Sequence, residues 1–425
     1  MRVLLVNTSE RVGGAAIAAS RLLRALNRNG VEAEMLVRDK QTDNPRVAVF
    51  ADSPVQRLRF VAERADIFVR NGLTRNNLFA IDTGRFGTDI THMPEFRRAD
   101  VVHLHWVNQA MLSLADIARI CRSGKRVVWT MHDMWPFTGI CHHADTCTGW
   151  LSGCGNCRLL KRPSAHDLSW QVYRHKAQLF SRYSIGMVGC SDWLTGLAQR
   201  SPLLTGQHVE SIPNPIDTSR YTPATGDTER QAICRRLGLP DDRQLLLFVA
   251  YKVTDPNKGI GYLREALSRL CAADSCWAKR LALVAVGREA GRLQGSFDVP
   301  LYAVDYVSSA ERMADYYRTA TVLVMPTLMD NLPNTVVEAM ACGLPCVAFE
   351  VGGLPQMISH GSDGYLVRYK DAGHLSHCIA ALLSDPHYAD FCHAARHKAV
   401  SVYSETAVAE RYIRLYEERQ KRVRG

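Results

Sequence analysis

The sequence predicts an α/β protein of two doubly wound, Rossmann-like domains facing a central cleft, and three observations carry that expectation. Short apolar runs alternate with helical patterns, the runs are apolar on both faces, and a cluster of prolines breaks the pattern in mid-chain. Strands of that kind, separated by helices, belong to parallel sheets covered on both sides. In the first half the runs are Val3–Asn7, Val101–Trp106, Val127–His132 and Met187–Cys190; in the second they are Leu245–Ala250, Leu281–Val286, Val322–Pro326 and Cys346–Phe349.

A chain of 425 residues exceeds one ordinary core and fits two such domains. Pro202, Pro213, Pro215 and Pro223 interrupt helix formation around the boundary, and Ser211–Asp217 reads as a strand passing from one domain to the next. The expected division is 1–207 and 208–407, with a final amphipathic helix over about 408–425 packing back on the first domain.

Composition narrows the partners. The chain carries 52 Lys+Arg against 42 Asp+Glu, a formal charge of +10 that suits anionic ligands. The basic residues are scattered and no RNA-binding signature appears, so nucleic acid is not expected. No apolar stretch approaches the ~20 residues of a spanning helix, and the opening run Arg2–Asn7 lacks the layout of a signal peptide, so a cytoplasmic location is expected. Most of the 13 cysteines fall within apolar runs and read as buried free thiols.

Four places carry chemistry. Gly13-Gly14 lies between the first strand and a helix, where glycines let a ligand approach backbone N–H groups at the positive end of the helix dipole. Within Asp330–Pro345, Asn331 reads as a cap, Pro333 as a first-turn residue, and Gly343 with Pro345 as the stop. Asp330 and Glu338 then flank a helix N-terminus suited to a phosphate, and the apolar neighbours Val336, Val337, Ala339 and Met340 argue that Glu338 is not solvent-facing. Lys252 and Lys258 bracket a turn at a strand's C-terminal end, where ligands bind in open α/β sheets. His103, His105 and His132 end two strands of the first half, and His105 and His132 are expected to face one cleft.

These residues resemble those of glycosyltransferase family 4, retaining enzymes of the GT-B architecture, and in particular its bacterial polysaccharide-assembly members. Asp330–Pro345 resembles the family's acidic-x7-acidic signature, Ser211–Asp217 its crossover, Lys258-Gly259 its phosphate turn, and Val351–Pro355 its Gly-Gly-x-Pro loop. Gly13-Gly14 and the Thr-x-His-Asp around His132 match its acceptor-domain loops, which implies that Gly14 contacts the donor and that His132, Asp330 and Lys258 are the catalytic residues. The resemblance implies a UDP- or GDP-sugar donor and a saccharide or polyprenyl-linked saccharide acceptor. It places the donor ribose on Glu338, the diphosphate on Lys258, and the donor sugar against backbone N–H groups of Asn331 and Leu332. Thr335 would meet a phosphate, and His132 would lie beside the sugar from the opposite domain. Two departures stand out: the first acid is Asp330 where the family usually has Glu, and Ala250-Tyr251-Lys252 replaces Gly-Arg. Lys252 supplies charge there without the bidentate fork of arginine. Retention implies that the departing phosphate oxygen accepts the acceptor's proton, so the protein mainly stabilises charge on the diphosphate. Lys252, Lys258 and a helix N-terminus suit that task without a catalytic metal, and no Asp-x-Asp pair occurs.

Two further features invite expectations. Cys141, Cys147, Cys154 and Cys157 suffice in number for a structural zinc site ordering the loop after His132, with free or redox-labile thiols as the alternative. Arg57–Arg70 alternates arginines with Leu58, Phe60, Val61 and Phe68, the pattern of a basic helix on anionic lipid at the inner face of the plasma membrane, or of an ordinary surface helix. A sugar-nucleotide epimerase of the same fold and a non-catalytic sugar- or nucleotide-binding relic are the rival functions.

Overall fold

The computed structural model describes residues 1–49 and 54–418, and the chain divides into two compact units, Met1–Pro215 with Val408–Gly425, and Ile216–Ala407. The part of the expected last helix over 419–425 lies outside the described residues.

The first unit holds a parallel sheet of seven strands: β1 (Arg2–Ser9), β2 (Glu32–Asp39), β3 (Val47–Val49), β4 (Val101–Leu104), β5 (Arg126–Met131), β6 (Gly186–Gly189) and β7 (Val209–Ser211). Their spatial order is β3-β2-β1-β4-β5-β6-β7. The period-two geometry of a strand sorts its side chains between two cores. Leu4, Val6, Val102, Leu104 and Trp129 enter one, while Val3, Leu5, Val101 and Val128 enter the other beneath the helix Gly14–Arg28. That second core is completed by the last helix, Glu405–Glu417, which buries Val408, Ala409, Tyr412, Leu415 and Tyr416 at helical spacing.

The second unit holds six parallel strands: β8 (Gln244–Lys252), β9 (Leu281–Arg288), β10 (Leu301–Val304), β11 (Val322–Met325), β12 (Cys346–Phe349) and β13 (Gly364–Val367). Their order is β10-β9-β8-β11-β12-β13. Sequence reading had the central strands of both sheets, whose runs are buried on both faces, and lacked the short edge strands β3, β10 and β13. The strand expected over Ser211–Asp217 ends at Ser211, because Pro213 and Pro215 have no N–H to give a ladder. Beyond it Ile216 makes a single bridge to Ser404 within the second unit.

In open α/β sheets ligands bind beyond the carboxyl ends of the strands where the strand order reverses. Those reversals fall at β1/β4 in the first unit and β8/β11 in the second. Among the described residues no helix is long and apolar enough to cross a membrane.

Candidate functional site

In the second unit three loops converge by backbone contact at the β8/β11 reversal. Gly259 has φ +74°, and a Cβ there would collide with the carbonyl oxygen of Pro326 at the end of β11. Gly352 likewise has φ +58° and leaves no room for a Cβ against the Asp330 carbonyl. Only glycine combines a left-handed backbone with such approach. Leu328 N donates to Asn257 O at 2.8 Å and Thr327 Oγ1 to the same oxygen at 3.1 Å. The lysine turn and the acidic loop are thereby fixed together, and Lys258 Nζ donates to Asp330 Oδ2 at 2.8 Å.

The helix that follows runs Asn334–Ala341 with Pro333 at its N-cap. This corrects one expectation: Asn331 lies outside the helix and does not cap it, and Glu338 sits about one turn in. Pro333, whose residue before it is biased away from helical ψ, delays the start. No side chain caps this terminus, and Thr335 Oγ1 is buried without a hydrogen-bond partner among the described residues. An uncapped helix N-terminus with an idle buried hydroxyl is a ready site for an anion. Leu332 is buried ahead of it. Glu338 is buried as well, and Tyr317 donates its hydroxyl to Glu338 Oε2 at 2.7 Å. Burial first, then the Glu338 charge, drives the Tyr317 pKa far above its usual value, so the phenol stays a donor.

Lys252 is paired with Glu289 at 3.0 Å, and the same carboxylate accepts from Thr254. The guanidinium of Arg288 lies over the Tyr251 ring, 4.8 Å from its centroid. The sequence reading missed Tyr317, Glu289 and Arg288; all three belong to elements that only the sheet order brings to β8 and β11.

In the first unit Gly13 (φ +92°) precedes the helix start at Gly14, which no side chain caps. The β1/β4 reversal is tied by Thr8 Oγ1, which donates to the carbonyls of Trp106 and Asn108, and by Trp106 N donating to Asn7 Oδ1 at 2.9 Å. His105 and His132 meet as expected, His105 Nδ1 lying 3.1 Å from His132 Nε2. His103 turns the other way, to the Tyr416 hydroxyl at 2.7 Å and Thr130 Oγ1 at 2.8 Å. Burial lowers the pKa of all three, to about 3 for His103 and about 4 for His132. Beside them Asp133 accepts from Trp106 Nε1 and His142 Nδ1, both at 2.8 Å, and from Trp135 N at 2.9 Å. Desolvation acts against its charge, but His142, by charge and hydrogen bond, and the Trp135 N–H prevail and hold its pKa down at about 2.

A residue without sequence signal organises the next loop. Lys176, wholly buried, donates to the carbonyls of Trp135, Thr138 and Gly139 and lies 3.6 Å from the Trp135 ring centroid. Burial lowers its pKa to about 7. A lysine inside an amphipathic helix reads as solvated, which hides this role.

Cys141, Cys147, Cys154 and Cys157 share this loop, each partly buried and unpaired. Among the described residues no group of three or more His, Cys, Asp or Glu side chains is placed to hold a metal ion. Burial raises the thiol pKa to about 11 for Cys141 and about 12 for Cys154, favouring the protonated forms.

The chain's relatives agree with this architecture. Residues 13–169 match the family described as glycosyl transferase 4-like domain, and residues 243–385 the family glycosyl transferases group 1. The D-inositol 3-phosphate glycosyltransferase of Streptosporangium roseum is 25% identical over 95% of this chain and 88% of its own length. A namesake from Catenulispora acidiphila is 32% identical over 46% of this chain; the chain spans about half the length of that relative, 47%. Among solved structures, sucrose-phosphate synthase from Thermosynechococcus elongatus superposes with TM-score 0.65 at 17% identity, covering 98% of both chains. Anabaena HepE in complex with UDP-glucose does so with TM-score 0.63 at 15% identity, over 98% of this chain and 99% of that one. The chain thus has the GT-B fold of two parallel-sheet units, the first carrying the stretch similar to the glycosyl transferase 4-like domain and the second the stretch similar to glycosyl transferases group 1.

Proposed function

We propose that the protein is a retaining glycosyltransferase that moves a sugar from a UDP- or GDP-sugar to a saccharide or lipid-linked saccharide in cell-surface polysaccharide assembly. The observation that carries the reading is the β11 loop of the second unit. An uncapped helix N-terminus, an idle buried Thr335 hydroxyl and the Lys258 ammonium lie on loops locked together by two glycines. Such a set serves a diphosphate, and the buried Glu338, oriented by Tyr317, serves ribose hydroxyls. Backbone N–H groups of Asn331 and Leu332 are assigned to the sugar. That Anabaena HepE holds UDP-glucose supports a uridine donor.

In this reading charge growing on the leaving diphosphate is met by Lys258, by Lys252 next to Glu289 and by the helix N-terminus, groups already in place before reaction. Asp330 keeps Lys258 aimed while the site awaits its anion. The first unit is assigned to the acceptor, with the imidazole of His132 beside the reacting sugar and the N–H groups at Gly14 as candidate donor contacts. Purified protein with EDTA, offered a panel of UDP- and GDP-sugars, should slowly release nucleoside diphosphate from one donor, and Glu338→Ala should abolish the release. Release that required an added divalent cation would overturn the metal-free part. Interconversion of two nucleotide sugars without an acceptor would favour the epimerase.

The helix Pro54–Arg70 supports a membrane-side acceptor, because its polarity is inverted. Glu63 and Arg64 are buried at 0% and 8% exposure, whereas Leu58, Val61 and Val69 are 66%, 59% and 61% exposed. Buried charge under an exposed apolar stripe marks an interaction surface. Arg70, Arg75 and Arg85 stand near it in the chain against Asp66, a net positive rim suited to anionic headgroups. Sedimentation with phosphatidylglycerol vesicles at low salt, lost in Leu58→Asn/Val61→Asn, is expected; equal recovery with phosphatidylcholine vesicles, or none with either, would refute it.

A further inference from the structure

We infer that His105 is a positioning residue that fixes the tautomer of His132, placing the His132 proton on Nδ1 and leaving that imidazole a hydrogen-bond donor rather than a proton acceptor at Nε2. The functional weight of this rests on the reading that His132 touches substrate; the tautomer itself does not.

His105 is 2% exposed, and its ring makes one hydrogen bond, from Nδ1 to His132 Nε2 at 3.1 Å. Its other nitrogen, Nε2, is buried with no partner among the described residues. The neighbouring ring cannot serve it: His103, with ring centroids 4.2 Å apart, has both nitrogens engaged by the hydroxyls of Tyr416 and Thr130. The His105 backbone is also held, its carbonyl accepting from Trp129 Nε1 at 3.0 Å.

A neutral imidazole carries one N–H and one bare nitrogen, and the hydrogen bond the ring makes decides which is which. Burial keeps both rings neutral at ordinary pH. Two assignments are then possible. With its proton on Nε2, His105 would bury an N–H that has no acceptor, the kind of orphan that folded proteins nearly always avoid. With its proton on Nδ1, His105 donates to His132 and leaves only an unfilled lone pair. The second arrangement is the cheaper one. His132 Nε2 is then the acceptor of that bond, and the single proton of His132 resides on Nδ1.

The consequence is chemical. An imidazole whose Nε2 lone pair is already filled cannot take a proton there, so His132 is not the base that activates an acceptor hydroxyl through this nitrogen. Its one proton sits on Nδ1. The acceptor's proton has to leave by another route, such as the oxygen of the departing phosphate.

The test is nitrogen NMR on the full chain with 15N-labelled histidine, the His132 signals being identified by their loss in His132→Gln. At pH 7.5 the wild type should show a protonated, pyrrole-type Nδ1 and a bare, pyridine-type Nε2. His105→Asn, whose side-chain amide keeps a donor near the position of Nδ1, should preserve the pattern; His105→Phe should shift it toward Nε2–H. A wild-type His132 protonated on Nε2, or an even mixture of tautomers, would overturn the inference. If the Phe variant does not fold, the wild type and the Asn variant decide alone. An Nδ1–H tautomer in a protein that transfers no sugar would sustain this inference while removing the transferase reading.

Discussion

The two sheet reversals contrast in what they leave unfinished. At β1/β4 the polar groups mostly satisfy one another: imidazoles pair with hydroxyls and with each other, and Asp133 accepts from Trp106, His142 and Trp135. At β8/β11 the helix end is uncapped, the Thr335 hydroxyl is idle, and Lys258 and Asp330 are partly exposed at 29% and 21%. A network whose members satisfy one another, the Asp133 carboxylate included, holds shape, whereas an open one with surplus donors suits a charged ligand. Under the proposed function, the difference gives anion binding to the second unit and preorganised contacts to the first.

The largest break in that contrast should come from Lys258→Ala. Removing one preorganised cation from the leaving group is expected to lower kcat by about 10²–10³-fold. The folding midpoint should barely move, since a partly exposed ion pair contributes little to stability. Next comes Lys176→Met in the first unit, where three buried carbonyls lose their donor. A stability loss on the order of 3 kcal/mol is expected from urea unfolding. An unchanged midpoint would show that water replaces the ammonium.

Tyr317→Phe sharpens the comparison at lower cost. The buried Glu338 carboxylate loses a charge-assisted donor, and donor binding should weaken roughly tenfold, read by calorimetry, with the fold intact. A pH slope sharpens the comparison from the other unit. His103 has a folded pKa near 3, below its unfolded value of 6.5, so the unfolded chain binds a proton that the folded one refuses. Stability is therefore lost as pH falls from about 6.5 toward 3, by up to about 1.4 kcal/mol per pH unit from this group. His103→Gln should flatten that limb relative to wild type; parallel slopes would show that the ring is solvated.

Much of this was legible in the sequence because it is local. Runs buried on both faces disclosed the central strands, and the family resemblance at Lys258-Gly259 and Val351–Pro355 marked the loops where Gly259 and Gly352 take positive φ. What escaped depends on partners far along the chain. Tyr317 meets Glu338 only because two helices flank β11, and Lys176 meets the loop after Trp135 only through packing. The helix Pro54–Arg70 shows the limit most plainly. Its alternation of arginine and apolar residues was visible, but which face turns outward is decided by buried Glu63 and Arg64, and the pairing of Arg64 with Asp82 is a tertiary fact. The start of the helix at Asn334 was misjudged for a local reason, since Pro333 fits equally well inside a first turn or just before it.

Titration calorimetry of UDP and GDP against the full chain in EDTA tests the division of labour most directly. One nucleotide should bind without metal, Lys258→Ala should weaken it at least tenfold, and His132→Asn should leave it within about twofold. Binding that survives Lys258→Ala yet is lost in His132→Asn would contradict the account, as would no binding of either nucleotide.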